Sequence, residues 1–114
     1  MPTQAEFEVF VGNAMDLVPE PFREALEEVA VVVEAYGPPH MGPLFGLYQG
    51  VPRTRPEGSG FGQLPPRITL YMHPMVDRFH DPGQLTEQIR ITLLHELGHH
   101  LGMDEQQLEE LGYG

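Results

Sequence analysis

Hydrophobic positions follow two periods along this chain, a helical one of 3.6 residues and a strand one of two residues, which together predict a mixed structure. The helical period predicts amphipathic helices over residues 3–16 and about 20–30. Runs that are β-branched or that alternate between apolar and polar positions predict strands over residues 29–36, 44–50 and 67–73. The third run is the most regular, and the proline that follows it predicts its end.

A longer helix is predicted to begin at Asp81. Its carboxylate can cap the helix, Pro82 suits the first helical position, and Gln84 can close a capping box. The apolar pattern then continues to about Leu101. We expect the helix to stop at Gly102, because glycine readily adopts the conformation that ends helices.

A short final helix is predicted to begin at Asp104, with Gln107 at the capping-box position. Leu108 and Leu111 are three residues apart, so we expect both on its inner face. The order of elements predicts the α+β class, as a single domain over residues 1–114. A small mixed sheet would pack with about four helices, and the longest helix lies near the C-terminus.

Composition narrows the classes of function. The chain has 114 residues and a formal net charge of −11, and all six of its basic residues are arginine. This charge disfavours nucleic acid and anionic membranes as partners. The absence of cysteine excludes disulfides and thiolate ligands. Neither a signal peptide nor a membrane span is evident, so we expect a cytoplasmic protein.

The clearest candidate chemistry lies in the long helix, in the segment His95-Glu96-Leu97-Gly98-His99. His95 and His99 are four residues apart, so they share one helix face and can bind one metal ion. Glu96 lies beside them and can accept a proton from a water on that metal without being a ligand. The chain turns at Gly102, and Asp104 and Glu105 follow as candidates for a third ligand.

The spacing His95-Glu96-x-x-His99-x-x-Gly102 resembles the elongated motif of zincin metallopeptidases. In metzincins a histidine follows three positions after the glycine, whereas this chain has Glu105 there and has no separate Met-turn. The chain is more similar to the minimal zincin-like family of small bacterial proteins. That similarity extends to residues 46–52 and 68–71 and covers nearly the whole length.

The resemblance implies a zincin-like fold and a zinc-dependent peptidase that uses a metal-activated water. It implies His95, His99 and Glu105 as the zinc ligands and Glu96 as the catalytic base. We favour Glu105 over Asp104 because Glu105 is in the family's third-ligand register, while Asp104 is also needed as a helix cap. The expected substrate is a peptide or a flexible protein segment.

Two alternatives remain open at this stage. The chain could be a non-catalytic zinc-binding or interaction module that retains the site, or a hydrolase of bonds other than peptides. His100 lies about a quarter turn from the ligand face, so we expect it to support a ligand or to lie at the surface. Tyr71 could stabilise an oxyanion, although a strand tyrosine more often serves packing.

Overall fold

The structure, a computed structural model, describes residues 2–50 and 65–114 and confirms an α+β fold. Its helices are α1 Gln4–Met15, α2 Phe22–Leu26, α3 Met72–Arg78, α4 Pro82–His100 and α5 Glu105–Glu110. Its strands are β1 Ala30–Glu34, β2 Gly46–Gln49 and β3 Arg67–Tyr71, and a 3₁₀ turn at Pro39–Met41 precedes β2.

The described strands form one mixed sheet in the order β1-β3-β2. The central strand β3 pairs in parallel with β1, where Val31 is opposite Ile68, and antiparallel with β2, where Tyr48 is opposite Ile68. Thr69 is as fully buried as its apolar neighbours, so both faces of β3 are covered. This order puts β2 at an edge of the sheet, next to α4.

Helix α4 is the centre of the hydrophobic core. One side of the helix is fully or almost fully buried at Leu85, Ile89, Leu93, Leu94 and Leu97. Helix α1 packs along it through Phe7, Val11 and Ala14. Burying each large apolar side chain stabilises the fold by about 1.5–3 kcal/mol, so α4 is held by packing along its whole length.

The predicted caps of the two C-terminal helices are confirmed. The Asp81 carboxylate accepts the backbone N–H of Gln84 at 3.0 Å, with Pro82 in the first turn of α4. Asp104 accepts the N–H of Gln107 at 2.8 Å, and the Gln107 side chain accepts the N–H of Asp104 at 2.8 Å. These bonds fix where α4 and α5 begin, and therefore which residues face the core.

Helix α3 was not predicted. The strand prediction ended at residue 73, whereas β3 ends at Tyr71 and the next residue already begins α3. Pro74 lies in the first turn of α3, where its missing N–H would have no partner within the helix. Met75 and Val76 are buried. A proline that usually indicates a break is therefore compatible with a helix start here.

Two further predictions were wrong in detail. The second helix is five residues long rather than about eleven, because the β-branched residues after it pair with β3 instead. Leu111 is 51% exposed, because α5 ends one residue before it. Residues 51–66 are rich in proline, glycine and arginine, which predicts a mobile surface loop, and they lie mostly outside the described residues. Among the described helices, none is long and apolar enough to cross a membrane.

Candidate metal centre

Three side chains from α4 and α5 converge at one point. His95 and His99 lie one turn apart on α4, with ring centroids 4.9 Å apart. Glu105, the first residue of α5, places its Oε1 atom 2.8 Å from Nε2 of His99 and 3.4 Å from Nε2 of His95. The candidate ligand atoms of these residues all lie within 4.8 Å of one another. One ion can therefore contact all three.

The turn after α4 brings Glu105 to this point. Gly102 has φ of 87°, a conformation that glycine adopts without strain. Its N–H donates to the carbonyl of His99 at 3.0 Å, and the N–H of Met103 donates to the carbonyl of Gly98 at 2.8 Å. These two bonds are a Schellman motif. The predicted stop at Gly102 is confirmed, and the chain folds back toward the histidines.

Gly98, inside the motif, permits close packing of α5 on α4. A Cβ atom at this position would collide with the side chain of Leu108, which is fully buried. Leu108 is the residue of α5 that faces the core. The missing side chain of Gly98 therefore lets α5 lie directly on α4, and this keeps Glu105 beside His99.

Backbone carbonyls determine which nitrogen of each histidine can bind a metal. Nδ1 of His95 lies 2.7 Å from the carbonyl oxygen of Tyr113, and Nδ1 of His99 lies 3.3 Å from that of Met103. A carbonyl only accepts, so each Nδ1 carries the proton and donates it. In a neutral ring Nε2 then keeps its lone pair, and both Nε2 atoms face the Glu105 carboxylate, so a metal ion could bind between them. Two such imidazoles and one carboxylate fit a zinc ion with an open position.

The Tyr113 carbonyl is presented by a second Schellman motif, at the end of α5. Gly112 has φ of 87°, its N–H donates to Glu109 at 3.0 Å, and the N–H of Tyr113 donates to Leu108 at 2.9 Å. The Tyr113 ring also packs edge-on against Phe22 at 5.7 Å. The sequence analysis missed this contribution. Gly112, directly after a predicted helix, is the signal that could have indicated it.

Glu96 lies beside the three ligand candidates but is not one of them. It is almost entirely buried, and this burial raises the pKa of its carboxyl group. His95 and His99 lower that pKa and Glu105 raises it, so all four groups interact electrostatically. The backbone of Tyr48, on β2, also lowers this pKa, by the smallest of these effects. The carboxyl group is therefore largely shielded from water.

Strand β2 lies directly over Glu96. A Cβ atom built on Gly46 would be 2.7 Å from Cγ2 of Thr92 and 3.5 Å from Cγ of Glu96. Ordinary carbon–carbon contacts are about 3.5–4.0 Å, so a side chain at Gly46 would push the strand away from α4. The absence of a side chain lets the edge of the sheet approach the metal-site helix.

The remaining candidates take other roles. Asp104 is engaged in the cap of α5, and the three-residue group found among the described residues contains Glu105 instead. His100 is buried, and both of its ring nitrogens have protein partners, Tyr48 and Glu28. It therefore has no nitrogen for a metal. Tyr71 is 4% exposed and packs at the end of β3.

Comparison with known proteins agrees with this geometry. A family profile described as zincin-like metallopeptidase matches residues 22–114, from the start of α2 to the last residue. No curated protein matches the chain at a significant level. The matched region contains the His95–His99 segment, the turn at Gly102 and all of α5. The chain therefore belongs to the zincin-like metallopeptidase family.

Proposed function

We propose that this protein is a zinc-dependent peptidase that hydrolyses peptides or flexible protein segments. His95, His99 and Glu105 would hold the zinc ion, and Glu96 would act as general base and then general acid. The observation that supports this most is the position of Glu96. A buried carboxylate that is not a ligand lies beside three convergent ligand side chains, and a zinc site with a purely structural role does not need it.

When bound in such a site, zinc lowers the pKa of a coordinated water to about 7 and polarises a carbonyl group. The other steps belong to the chain's own residues. The Glu96 carboxylate takes a proton from the attacking water and returns it to the nitrogen of the leaving amine. Burial raises the pKa of Glu96, which suits a group that must both accept and release a proton near neutral pH.

The edge strand β2 supports an extended peptide as the substrate. The N–H of Tyr71 donates to the carbonyl of Phe45 at 2.9 Å, so these two residues are a hydrogen-bonded pair of the antiparallel ladder. Bonded pairs alternate along such a ladder, so the backbone groups of Gly46 point away from β3. A peptide could pair with this edge beside the metal centre. The net charge of −11 disfavours nucleic acid there.

The competing function is a zinc-binding module without catalysis. Structural zinc is usually enclosed by four protein ligands. Here the group found among the described residues has three members. The side chains of His95, His99 and Glu105 are 21%, 29% and 70% exposed. A partly open site with three ligands favours hydrolysis over a closed structural role.

The substitution Glu96→Gln tests the proposal. It keeps the size of the side chain and removes its ability to take a proton. We expect zinc affinity close to wild type and a fall in peptide hydrolysis of about 10²- to 10⁴-fold, the usual contribution of a general base. Zinc-loaded proteins would be compared on a library of quenched fluorogenic peptides. Glu109→Gln, the same substitution at an exposed position of α5, is the matched control.

Full turnover in Glu96→Gln would remove Glu96 from the mechanism. Nucleotides and simple esters assayed beside the peptides would reveal a hydrolase of another bond. A wild-type protein that binds one zinc ion and cleaves none of these substrates would instead support the non-catalytic module.

A further inference from the structure

A chain of hydrogen bonds through the buried ring of His100 links three segments that are distant in sequence. The Tyr48 hydroxyl on β2 lies 2.7 Å from Nδ1 of His100, at the end of α4. Nε2 of the same ring lies 2.8 Å from Oε1 of Glu28, in the turn after α2. His100 is only 4% exposed. We call these three residues the Tyr48–His100–Glu28 chain.

The partners of His100 fix its tautomer. The Glu28 carboxylate accepts a hydrogen bond, so Nε2 of His100 carries the proton and donates it. Nδ1 of the neutral ring then accepts from the Tyr48 hydroxyl. This arrangement is the reverse of that in His95 and His99, which donate through Nδ1 and turn Nε2 toward Glu105. Both nitrogens of His100 are occupied, and the ring joins a strand to a loop.

The Tyr48–His100–Glu28 chain attaches β2 to α4. This strand is four residues long and, within the described sheet, has a strand neighbour on one side only. Tyr48 faces α4, because it is opposite Ile68, a residue of the core. A hydrogen bond from its hydroxyl to a buried ring on α4 therefore anchors the strand to the helix. On the same strand, Gly46 lies against Glu96, because a Cβ atom built on Gly46 would be 3.5 Å from Cγ of Glu96.

We propose that the Tyr48–His100–Glu28 chain is a positioning device that holds β2 on α4, against the side chain of Glu96, and so keeps the Glu96 carboxylate in position. This inference rests on the proposed peptidase function. The hydrogen bonds of these three side chains do not include His95, His99 or Glu105, so their effect on the reaction would pass through Glu96. Displacements of about 1 Å at a reacting group can cost up to about 100-fold in rate, so a small shift of β2 matters.

The first test needs no activity. Tyr48→Phe removes one hydroxyl and leaves the ring to fill its place, and Tyr36→Phe, at an exposed tyrosine, is the matched control. In zinc-free protein, amide hydrogen exchange at residue 48 is followed by NMR. We expect exchange about 5- to 10-fold faster in Tyr48→Phe than in wild type, the effect of weakening one hydrogen bond. Tyr36→Phe should leave this amide unchanged.

The second test uses the zinc-loaded enzyme. We expect Tyr48→Phe to lower kcat by about 10-fold or more with little change in zinc affinity, because β2 shifts against Glu96 while the three ligand candidates stay in place. Glu28→Ala should also lower kcat. Glu28→Gln, which still offers an oxygen to Nε2 of His100, should recover most of the loss. A role in stability alone would not lower kcat of the folded enzyme while zinc affinity stays unchanged.

Two results would overturn the inference. One is a folded Tyr48→Phe protein whose residue 48 amide exchanges at the wild-type rate. The other is a loosened amide together with unchanged kcat. A wild-type protein without peptidase activity would contradict the proposed function instead, and the exchange rates would still decide whether the Tyr48–His100–Glu28 chain holds β2 on α4.

Discussion

Three histidines near the end of one helix have different roles because their nitrogens have different partners. His95 and His99 donate through Nδ1 to carbonyl groups and present Nε2 to Glu105. His100 uses both nitrogens in bonds to Tyr48 and Glu28. A histidine can bind a metal only through a nitrogen that has a lone pair available. The hydrogen-bond partners therefore distinguish ligand candidates from a structural ring.

The third ligand can be tested by comparing two adjacent carboxylates. Glu105→Ala removes an oxygen that lies 2.8 Å from His99, so we expect zinc affinity to fall by more than the roughly 10- to 100-fold that loss of a ligand-orienting partner costs. Asp104→Ala removes the cap of α5 and should cost about 0.5–2 kcal/mol of stability, with a smaller effect on zinc. Chelator competition and thermal unfolding measure the two quantities.

Substitution at Asp104 is also the matched control, because it removes the same chemical group one position away. If zinc affinity fell further in Asp104→Ala than in Glu105→Ala, the assignment of Glu105 would be wrong. Equal losses would indicate that both carboxylates act only through the placement of α5.

At the scale of single residues, the sequence predicts which residues lie together only where they are close along the chain. His95, Glu96 and His99 lie within one turn of a helix, so their proximity follows from helix geometry alone. The hydrogen-bond partners of the histidines do not follow from helix geometry. The bond from Tyr48 to His100 spans 52 residues, and the bond from His100 to Glu28 spans 72. Such contacts depend on how the sheet and the helices pack, which local spacing does not determine.

Among the elements, caps and β-branched runs carried the most reliable signals. The starts of α4 and α5 were predicted from Asp81 and Asp104, whose side chains bond nearby backbone groups. Helix α3 was missed because Pro74 favours a break. The prediction for α2 was too long because pairing of β1 with β3 overrides local helix preference. Tertiary contacts therefore account for both errors.

The two Schellman motifs give the turns at the ends of α4 and α5 a role in the metal centre. In each, the residue after the glycine presents its carbonyl to a histidine: Met103 to His99, and Tyr113 to His95. A turn that ends a helix thus also sets the orientation of a ligand candidate on α4. This explains how a chain of 114 residues can orient a metal site with few additional side chains.

This role of the turns predicts the effect of Gly112→Ala. Space around Gly112 is open, so the only cost is the positive φ, about 1–2 kcal/mol for a residue with a side chain. Relief of that strain would move the Tyr113 carbonyl away from His95. We expect zinc affinity to fall about 10- to 100-fold although no ligand is changed. Chelator competition is the measurement.

Gly12→Ala is the control for this substitution. Gly12 is also surrounded by open space, but it lies inside α1 with ordinary helical geometry. Alanine there should stabilise the protein by about 0.5–1 kcal/mol and leave zinc affinity unchanged. Unchanged affinity in both variants would show that the Tyr113 carbonyl does not hold His95 in its metal-binding orientation.

For the whole molecule, the α+β class followed from the order of helical and strand patterns, and the structure confirms it. The order of strands in the sheet could not be predicted from the sequence pattern. The antiparallel pairing of β2 with β3 and the parallel pairing of β1 with β3 depend on which apolar faces meet α1 and α4. That order puts β2, which in the described sheet has a strand neighbour on one side only, beside Glu96, so the proximity of β2 to the site was visible only in the folded molecule.

The core and the metal centre are separable parts of this molecule. The core cluster consists of apolar side chains from α1 to α4 and β3, with Val18 between α1 and α2, whereas the side chains of His95, His99 and Glu105 are 21%, 29% and 70% exposed. The fold should therefore persist without zinc, while zinc should add stability by mass action. At a free zinc concentration of 100 times Kd this amounts to about 2.7 kcal/mol, or roughly 10–15 °C in Tm for a domain of this size.

Removing zinc with a chelator checks this separation. We expect an unchanged far-ultraviolet circular dichroism spectrum at 25 °C and a lower Tm, and no effect of the chelator on a His95→Ala/His99→Ala variant that has no site. Loss of helical signal on chelation would mean that the ion holds the fold together, as in structural zinc domains. That result would favour the non-catalytic module, because a catalytic site must release and rebind ligands without unfolding the chain around it.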